Sequence, residues 1–244
     1  MDADRITGTK LDHIAIGVRR LEDATDLLIR RLGGRQHAGG PGIEFRGCQW
    51  EFKGGGRIEV IEPEGPPGGF LHRFIDTRGP GVHHITFKVP DIYRAAELAR
   101  ARGYTVVGFN DAFEGWKEMF LHPRQAQGVV VQLAQSDPDV DDSWGPNFPF
   151  PTIDGPVPDA VRVLGVRLTT RSLARSRSQW EGLLGGCCED RGTELVFSWP
   201  ESPLQITVEL DEAREEGPIC IEIEGPDELS GYADASIGVR VSKR

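Results

Sequence analysis

The 244-residue chain carries 38 acidic against 28 basic side chains, a formal charge of -10, and the resulting field repels a phosphate backbone, so nucleic acid is not an expected partner. With 38% apolar residues, 8% aromatics, 31 Gly and 17 Pro, the composition is that of a globular protein rich in tight turns, which excludes collagen-like and wholly disordered chains. There is no run of 18 apolar residues, and the polar opening Met1 to Lys10 has no secretory h-region; the expectation is a cytoplasmic protein without a membrane partner.

Leu11 to Val18 is an apolar run of period-2 character and predicts a strand. Leu21 to Leu32 has helical spacing and is stopped by Gly33 and Gly34. Two strand-like runs, Ile43 to Phe52 and Arg57 to Glu62, flank Gly54 to Gly56 and complete a β-α-β-β unit with room for one more short strand. After a Pro/Gly-rich connection the grammar returns, with a strand over His83 to Val89 and a helix over Asp91 to Arg102 closed by Gly103. Three strands follow, Tyr104 to Phe109, Trp116 to Leu121 and Val129 to Ala134. Leu11-Asp12-His13-Ile14 matches Val82-His83-His84-Ile85 at an offset of 71 residues, so the two units are repeats.

Residues 137–159, rich in Pro, Asp and Gly and without periodicity, read as a linker between a first domain, 1–136, and a second, 160–244. In the second, Val163 to Thr170 predicts a strand, Leu173 to Leu184 a helix ended by Gly185 and Gly186, and Glu194 to Trp199 and Gln205 to Leu210 two strands, a third copy. A shortened fourth copy starts at Ile219 to Glu224, where Pro226-Asp227 matches Pro90-Asp91. The four cysteines, Cys48, Cys187, Cys188 and Cys220, form no C-x-x-C pair and are expected as reduced, buried thiols.

All six histidines lie at or before residue 122, so an imidazole site belongs to residues 11 to 134. His13 and His84 hold equivalent places on two repeated strands, while Glu59 and Gln132 each interrupt an apolar closing strand. A strand embedded between apolar neighbours does not bury such groups without a partner. Two imidazoles and a carboxylate suit a divalent ion such as Zn, Fe, Co, Ni or Mn, while Gln132 can add a weak oxygen ligand or hydrogen-bond a metal-bound water. In the second half the counterpart of His13 is Gly165 or Val166, and that of His84 is Cys220. His83, of opposite strand parity to His84, is expected to point away, and His37, His72 and His122 are expected in solvent.

The repeated unit, with Leu11-Asp12-His13-Ile14-Ala15-Ile16, Arg57-Ile58-Glu59-Val60-Ile61-Glu62-Pro63, Gly81-Val82-His83-His84-Ile85 and Gly128-Val129-Val130-Val131-Gln132-Leu133, resembles the vicinal oxygen chelate superfamily, nearest to methylmalonyl-CoA epimerase-like and glyoxalase I-like proteins. The resemblance covers about residues 11 to 134, and 160 to 244 only as a degenerate repeat. It implies an α+β fold of β-α-β-β-β modules forming cupped mixed sheets, with a metal ion held by His13, Glu59, His84 and Gln132. It also implies a reaction in which the ion stabilises an enolate or oxyanion of a small carbonyl or acyl-thioester substrate while glutamates move the proton.

The chain departs from that pattern at Gln132, where the family usually has a glutamate base; an amide cannot take a proton. A swap about the pseudo-twofold axis would keep two His, one Glu and one Gln, with Glu59 as both ligand and base. Glu44, on the adjoining strand, is a further candidate base, and Glu51 and Glu118 stand behind it. Two His and one Glu also match the facial triad of non-heme iron dioxygenases, and a sequestering protein that has lost catalysis is a third class. Arg57, Arg73, Arg78, Lys117 and Arg124 are available for the phosphates of an acyl-thioester. The repeat suggests a monomer with pseudo-dimeric halves or a homodimer.

Overall fold

The computed structural model describes residues 4–137, 145 and 148–244; the central part of the expected linker lies outside the described residues. The first module comprises β1 (Lys10–Gly17), a helical segment in two pieces (Leu21–Ala24 and Asp26–Arg31), β2 (Arg35–Pro41), β3 (Phe45–Glu51) and β4 (Arg57–Pro63). Helix α1 (Phe70–Arg78) leads to the second module, β5 (Gly81–Lys88), α2 (Ile92–Ala101), β6 (Val106–Phe113), β7 (Trp116–Leu121) and β8 (Val130–Ser136). The third has β9 (Arg162–Thr170), α3 (Leu173–Ser176) continuing into Arg177–Leu183, β10 (Cys187–Asp190), β11 (Glu194–Ser198) and β12 (Gln205–Leu210). The fourth keeps β13 (Gly217–Glu224), a turn at Asp227–Leu229, β14 (Ala233–Asp234) and β15 (Val239–Lys243).

These strands form two mixed sheets, one of order β2-β3-β4-β1-β5-β8-β7-β6 and one of order β10-β11-β12-β9-β13-β15-β14. In each complete module the first strand pairs with the last in parallel, as β1 with β4, β5 with β8 and β9 with β12. A parallel pair needs a crossover, and the helix supplies it. Strand β1 is buried from Leu11 to Gly17 because it lies inside its sheet, which is why its sequence is nearly continuous in apolar residues rather than strictly alternating. The α+β, repeated β-α-β-β-β architecture expected from the sequence is the observed one.

Local differences have physical reasons. The helix expected over Leu21 to Leu32 is a 3-10 turn followed by a π-helical segment, in which the Leu32 amide reaches back to Leu27 O at 3.0 Å. The third module repeats this widening, with the Leu184 amide on Gln179 O at 3.1 Å. By contrast α2 is a regular helix, and Asp91 caps it by accepting from the Tyr93 and Arg94 amides at 2.9 and 3.0 Å. Strand β2 is the additional short strand for which the first unit left room, whereas β10 and helix α1 were not among the expected elements. The first two are short and mostly exposed on sheet edges, and α1 is nine residues long with only Leu71 and Ile75 buried.

The chain divides into two compact units, and each takes segments from both halves of the sequence. In the unit of Met1–Asp12, His84–Asp141 and Gly165–Ile219, Phe87 stacks on Trp180 at 6.1 Å and meets Trp199 edge-on at 4.9 Å. There the buried Gln127 donates to Gln179 Oε1 at 3.1 Å and accepts from Ser176. In the unit of His13–His83, Asp142–Leu164 and Cys220–Arg244, the Val161 amide donates to Leu32 O and the Lys53 amide to Val161 O, both at 3.0 Å. Arg31 lies over the Tyr232 ring at 4.3 Å, and the Tyr232 hydroxyl donates to Asp26.

Cysteines were expected to be buried; only Cys48 and Cys220 are, whereas Cys187 is exposed and Cys188 half-buried on the edge strand β10. Burial, with Glu59 and Glu62 nearby, pushes the Cys48 thiol far above the usual thiol range. Iodoacetamide at mild alkaline pH is therefore expected to label Cys187 in the folded protein and Cys48 only after unfolding, read by peptide mass spectrometry. Trp180 is fully buried against Phe87. Its replacement by Ala is expected to cost roughly 3–5 kcal/mol in a denaturant titration, with the loss of a large ring from a packed core.

Candidate metal centre

Strand register decides which polar side chains share a face. On β1 and β4, His13 lies opposite Arg57 and Ala15 opposite Glu59, so His13 and Glu59 stand on one face two positions apart. Their side chains meet there, His13 Nε2 at 3.3 Å from Glu59 Oε2, and both are buried. On β5 and β8 the same register puts His84 opposite Val130 and Thr86 opposite Gln132. Gln132 is thus the register equivalent of Glu59, and Thr86 of Ala15.

His13, Glu59 and His84, all buried, each offer a ligand atom, and these atoms lie within 4.8 Å of one another, the one such group among the described residues. Three donors bound to one ion at about 2.0–2.2 Å are separated by roughly 3–4.4 Å, so this spacing needs little adjustment to close on a single ion. Two imidazoles and one carboxylate are also the donor chemistry that borderline divalent ions take. The residues present therefore fit a metal ion.

Gln132 is hydrogen-bonded at both ends of its amide. Its Oε1 accepts from the Thr86 hydroxyl at 2.6 Å, and its Nε2 donates to Glu118 Oε2 at 2.7 Å. Glu118 Oε2 also accepts from Trp116 Nε1 at 3.0 Å. Glu44 was expected on strand β3 beside the site; it lies instead in the exposed β2–β3 turn, in the left-handed region with φ 64°. The adjacent Phe45 pairs with Pro63, four positions along β4 from Glu59, which is about 13 Å of strand. Glu51 is half exposed, with an oxygen 3.7 Å from His37 Nδ1.

Two of the other histidines lie elsewhere than expected. His72, on α1, and His122, after β7, are half-buried rather than in solvent. His83 is buried against α1, its ring 5.6 Å from Phe70 and 4.7 Å from Phe74. Of the basic side chains, Arg57 contacts His37 Nε2 at 3.1 Å, Arg73 donates to Gly68 O, and Lys117 lies 5.5 Å from the Tyr93 ring. Sequence reasoning passed over Gln49, buried directly opposite Glu59 on β3, and the fully buried Thr86. The available signal was the same one that drew attention to Glu59: a polar side chain between two apolar neighbours of a strand.

In the second sheet, Gly165 pairs with Gln205 and Arg167 with Thr207, so Gly165 stands where His13 does and Thr207 where Glu59 does. Gly165 has φ 148°, and a Cβ there would lie 1.8 Å from Gln205 O. No imidazole can be carried at that place. Arg167, at the position of Ala15, instead donates to Glu194 Oε2 at 2.6 Å and Glu209 Oε2 at 3.1 Å.

A model of the Glyoxalase/Bleomycin resistance protein/Dioxygenase superfamily matches residues 12–120. Ethylmalonyl-CoA/methylmalonyl-CoA epimerase of Cereibacter sphaeroides is 32% identical over 135 residues, covering 52% of this chain and 97% of that protein. Human mitochondrial methylmalonyl-CoA epimerase is 29% identical over 145 residues, 54% of this chain and 80% of that one. The chain belongs to the glyoxalase, or vicinal oxygen chelate, superfamily, and its first half is similar to epimerases of that group. The fold extends over both halves: a hypothetical protein from Staphylococcus aureus covers 97% of this chain, and 99% of its own, with a TM-score of 0.62 at 13% identity. Gly165→Ala is expected to lower stability by roughly 1–3 kcal/mol or more in urea, since it adds both backbone strain and a clash with a carbonyl oxygen.

Proposed function

We propose that this protein is a divalent-metal-dependent epimerase or isomerase that removes and returns a proton beside the carbonyl of a small acyl-thioester. The observation that carries this reading is the convergence of buried His13, Glu59 and His84 within 4.8 Å. The relatives named as epimerases of ethylmalonyl-CoA and methylmalonyl-CoA support the reaction class and the substrate class.

Bound there, a divalent ion would supply a Lewis acid for the carbonyl oxygen whose charge grows as the α-proton leaves. The imidazoles of His13 and His84, as neutral ligands, would hold the ion without cancelling its charge. Burial of the three side chains keeps water out and strengthens the electrostatic contribution. Glu59 is the carboxylate within the group and takes the α-proton on an oxygen, returning it to the face it came from, so inversion needs a second acid on the opposite face; Gln132, at the equivalent place on β8, is an amide and holds no proton. The active site thus has its acid on β4 and its amide on β8, the reverse of the usual order for the epimerase-like resemblance.

Reconstitution with Co2+, Mn2+ or Zn2+ followed by elemental analysis is expected to give about one ion per chain, a stoichiometry that follows from one three-ligand group, and a His13→Ala/His84→Ala variant should retain none. Parent protein that takes up no ion would sink the metal reading. With a methylmalonyl thioester of coenzyme A in D2O, the loaded parent should wash deuterium into the α-position, and Glu59→Gln should slow this by about 10²- to 10⁴-fold. Oxygen uptake with a catechol substrate, and no α-exchange, would favour the dioxygenase alternative.

A further inference from the structure

Strand β8 carries an amide where the closing strand of the superfamily usually carries a carboxylate, and the neighbouring strand explains it. Glu118, on β7, aims its Oε2 at the Gln132 amide nitrogen at 2.7 Å, and Trp116 Nε1 donates to the same oxygen at 3.0 Å. Glu118, Gln132 and Thr86 stand on one face of the sheet, since Thr86 pairs with Gln132 and Glu118 with Ala134. Lys88 Nζ lies over the Trp116 ring at 3.8 Å and donates to Ser136, so the outer end of the chain is also held.

A side-chain amide can turn over, exchanging its oxygen and nitrogen. An ionised carboxylate only accepts, so against Glu118 the amide must present its N–H. We propose that Glu118 is a positioning residue: it locks the Gln132 amide with its nitrogen toward β7 and its carbonyl oxygen toward β5, the strand that carries His84. Thr86 takes one lone pair of that oxygen, leaving a second for an ion or a water attached to it. A carboxylate at residue 132 would set one acceptor oxygen against another at the distance where the amide N–H now meets Glu118, with no donor between them.

This inference rests on the metal reading for its cobalt readout but not for its stability readout, so the two can fail separately. The experiment compares the parent, Glu118→Gln, Gln132→Glu and the exchanged double variant E118Q/Q132E, each loaded with Co2+. Melting temperature, Co2+ affinity and the visible cobalt spectrum are measured on the full chain. Glu118→Gln, which lets the residue-132 amide adopt either orientation, should keep the fold, weaken Co2+ binding about 10-fold or more and change the cobalt spectrum. Gln132→Glu should lower the melting temperature, and the double variant should recover it because donor and acceptor are again matched. A Glu118→Gln protein with unchanged cobalt affinity and spectrum overturns the proposal, as does a double variant no more stable than Gln132→Glu. If the parent binds no Co2+, the metal reading falls, and recovery or non-recovery of the melting temperature in the double variant still decides whether Glu118 sets the Gln132 amide.

Discussion

The buried contact between His13 and Glu59 is the constraint around which the first sheet is organised. A carboxylate removed from water needs compensation from a cation or from several donors, or it becomes a large stability loss. At 3.3 Å an imidazole nitrogen is one such partner, and with His84 the three side chains form a donor set of a kind that fits a divalent ion. Holding them requires strands that cannot slip, since a one-residue change of register would turn each side chain to the opposite face. The parallel pairings of β1 with β4 and β5 with β8, buried within an eight-stranded sheet, supply that rigidity.

The second sheet answers the same topology without a group of imidazoles. Gly165 replaces the histidine at a place where the backbone of Gln205 leaves no space for a side chain, and the guanidinium of Arg167 lies between Glu194 and Glu209. An arginine carries its charge at all relevant pH and offers fixed donors to two carboxylates, so this polar cluster is satisfied within the chain. The repeated strand order has been kept while the chemistry has been exchanged. The likeness of the whole chain to another structure at 13% identity follows the same logic, since packing preserves topology more strictly than side-chain identity.

Polar order around Gln132 extends the argument from ligands to the residues that hold them. Thr86, Glu118 and Trp116 each contribute one hydrogen bond, and together they leave the amide one orientation. A half-buried network of this kind specifies geometry because turning the amide over leaves an acceptor facing an acceptor at Glu118. Such positioning matters most next to an ion, where the direction of a single oxygen changes both affinity and the charge felt by the substrate.

Much of the architecture is legible in the sequence. The offset of 71 residues between the His13 and His84 strands, the helix-ending glycines and the polar interruptions at Glu59 and Gln132 are local patterns, and period-2 and helical spacing convert them directly into repeated modules and a candidate site. What local spacing does not contain is the pairing between strands far apart in the chain. Glu44 and Glu118 look alike as single acidic residues beside strands, yet one lies in an exposed left-handed turn and the other against Gln132. Strand β10, and the position of β2, are not written in the sequence because edge strands lack the continuous burial that writes an apolar pattern. The choice of Gly165 over Val166 as the counterpart of His13, and the partners of the Gln132 amide, were settled by sheet register, which only the folded chain decides.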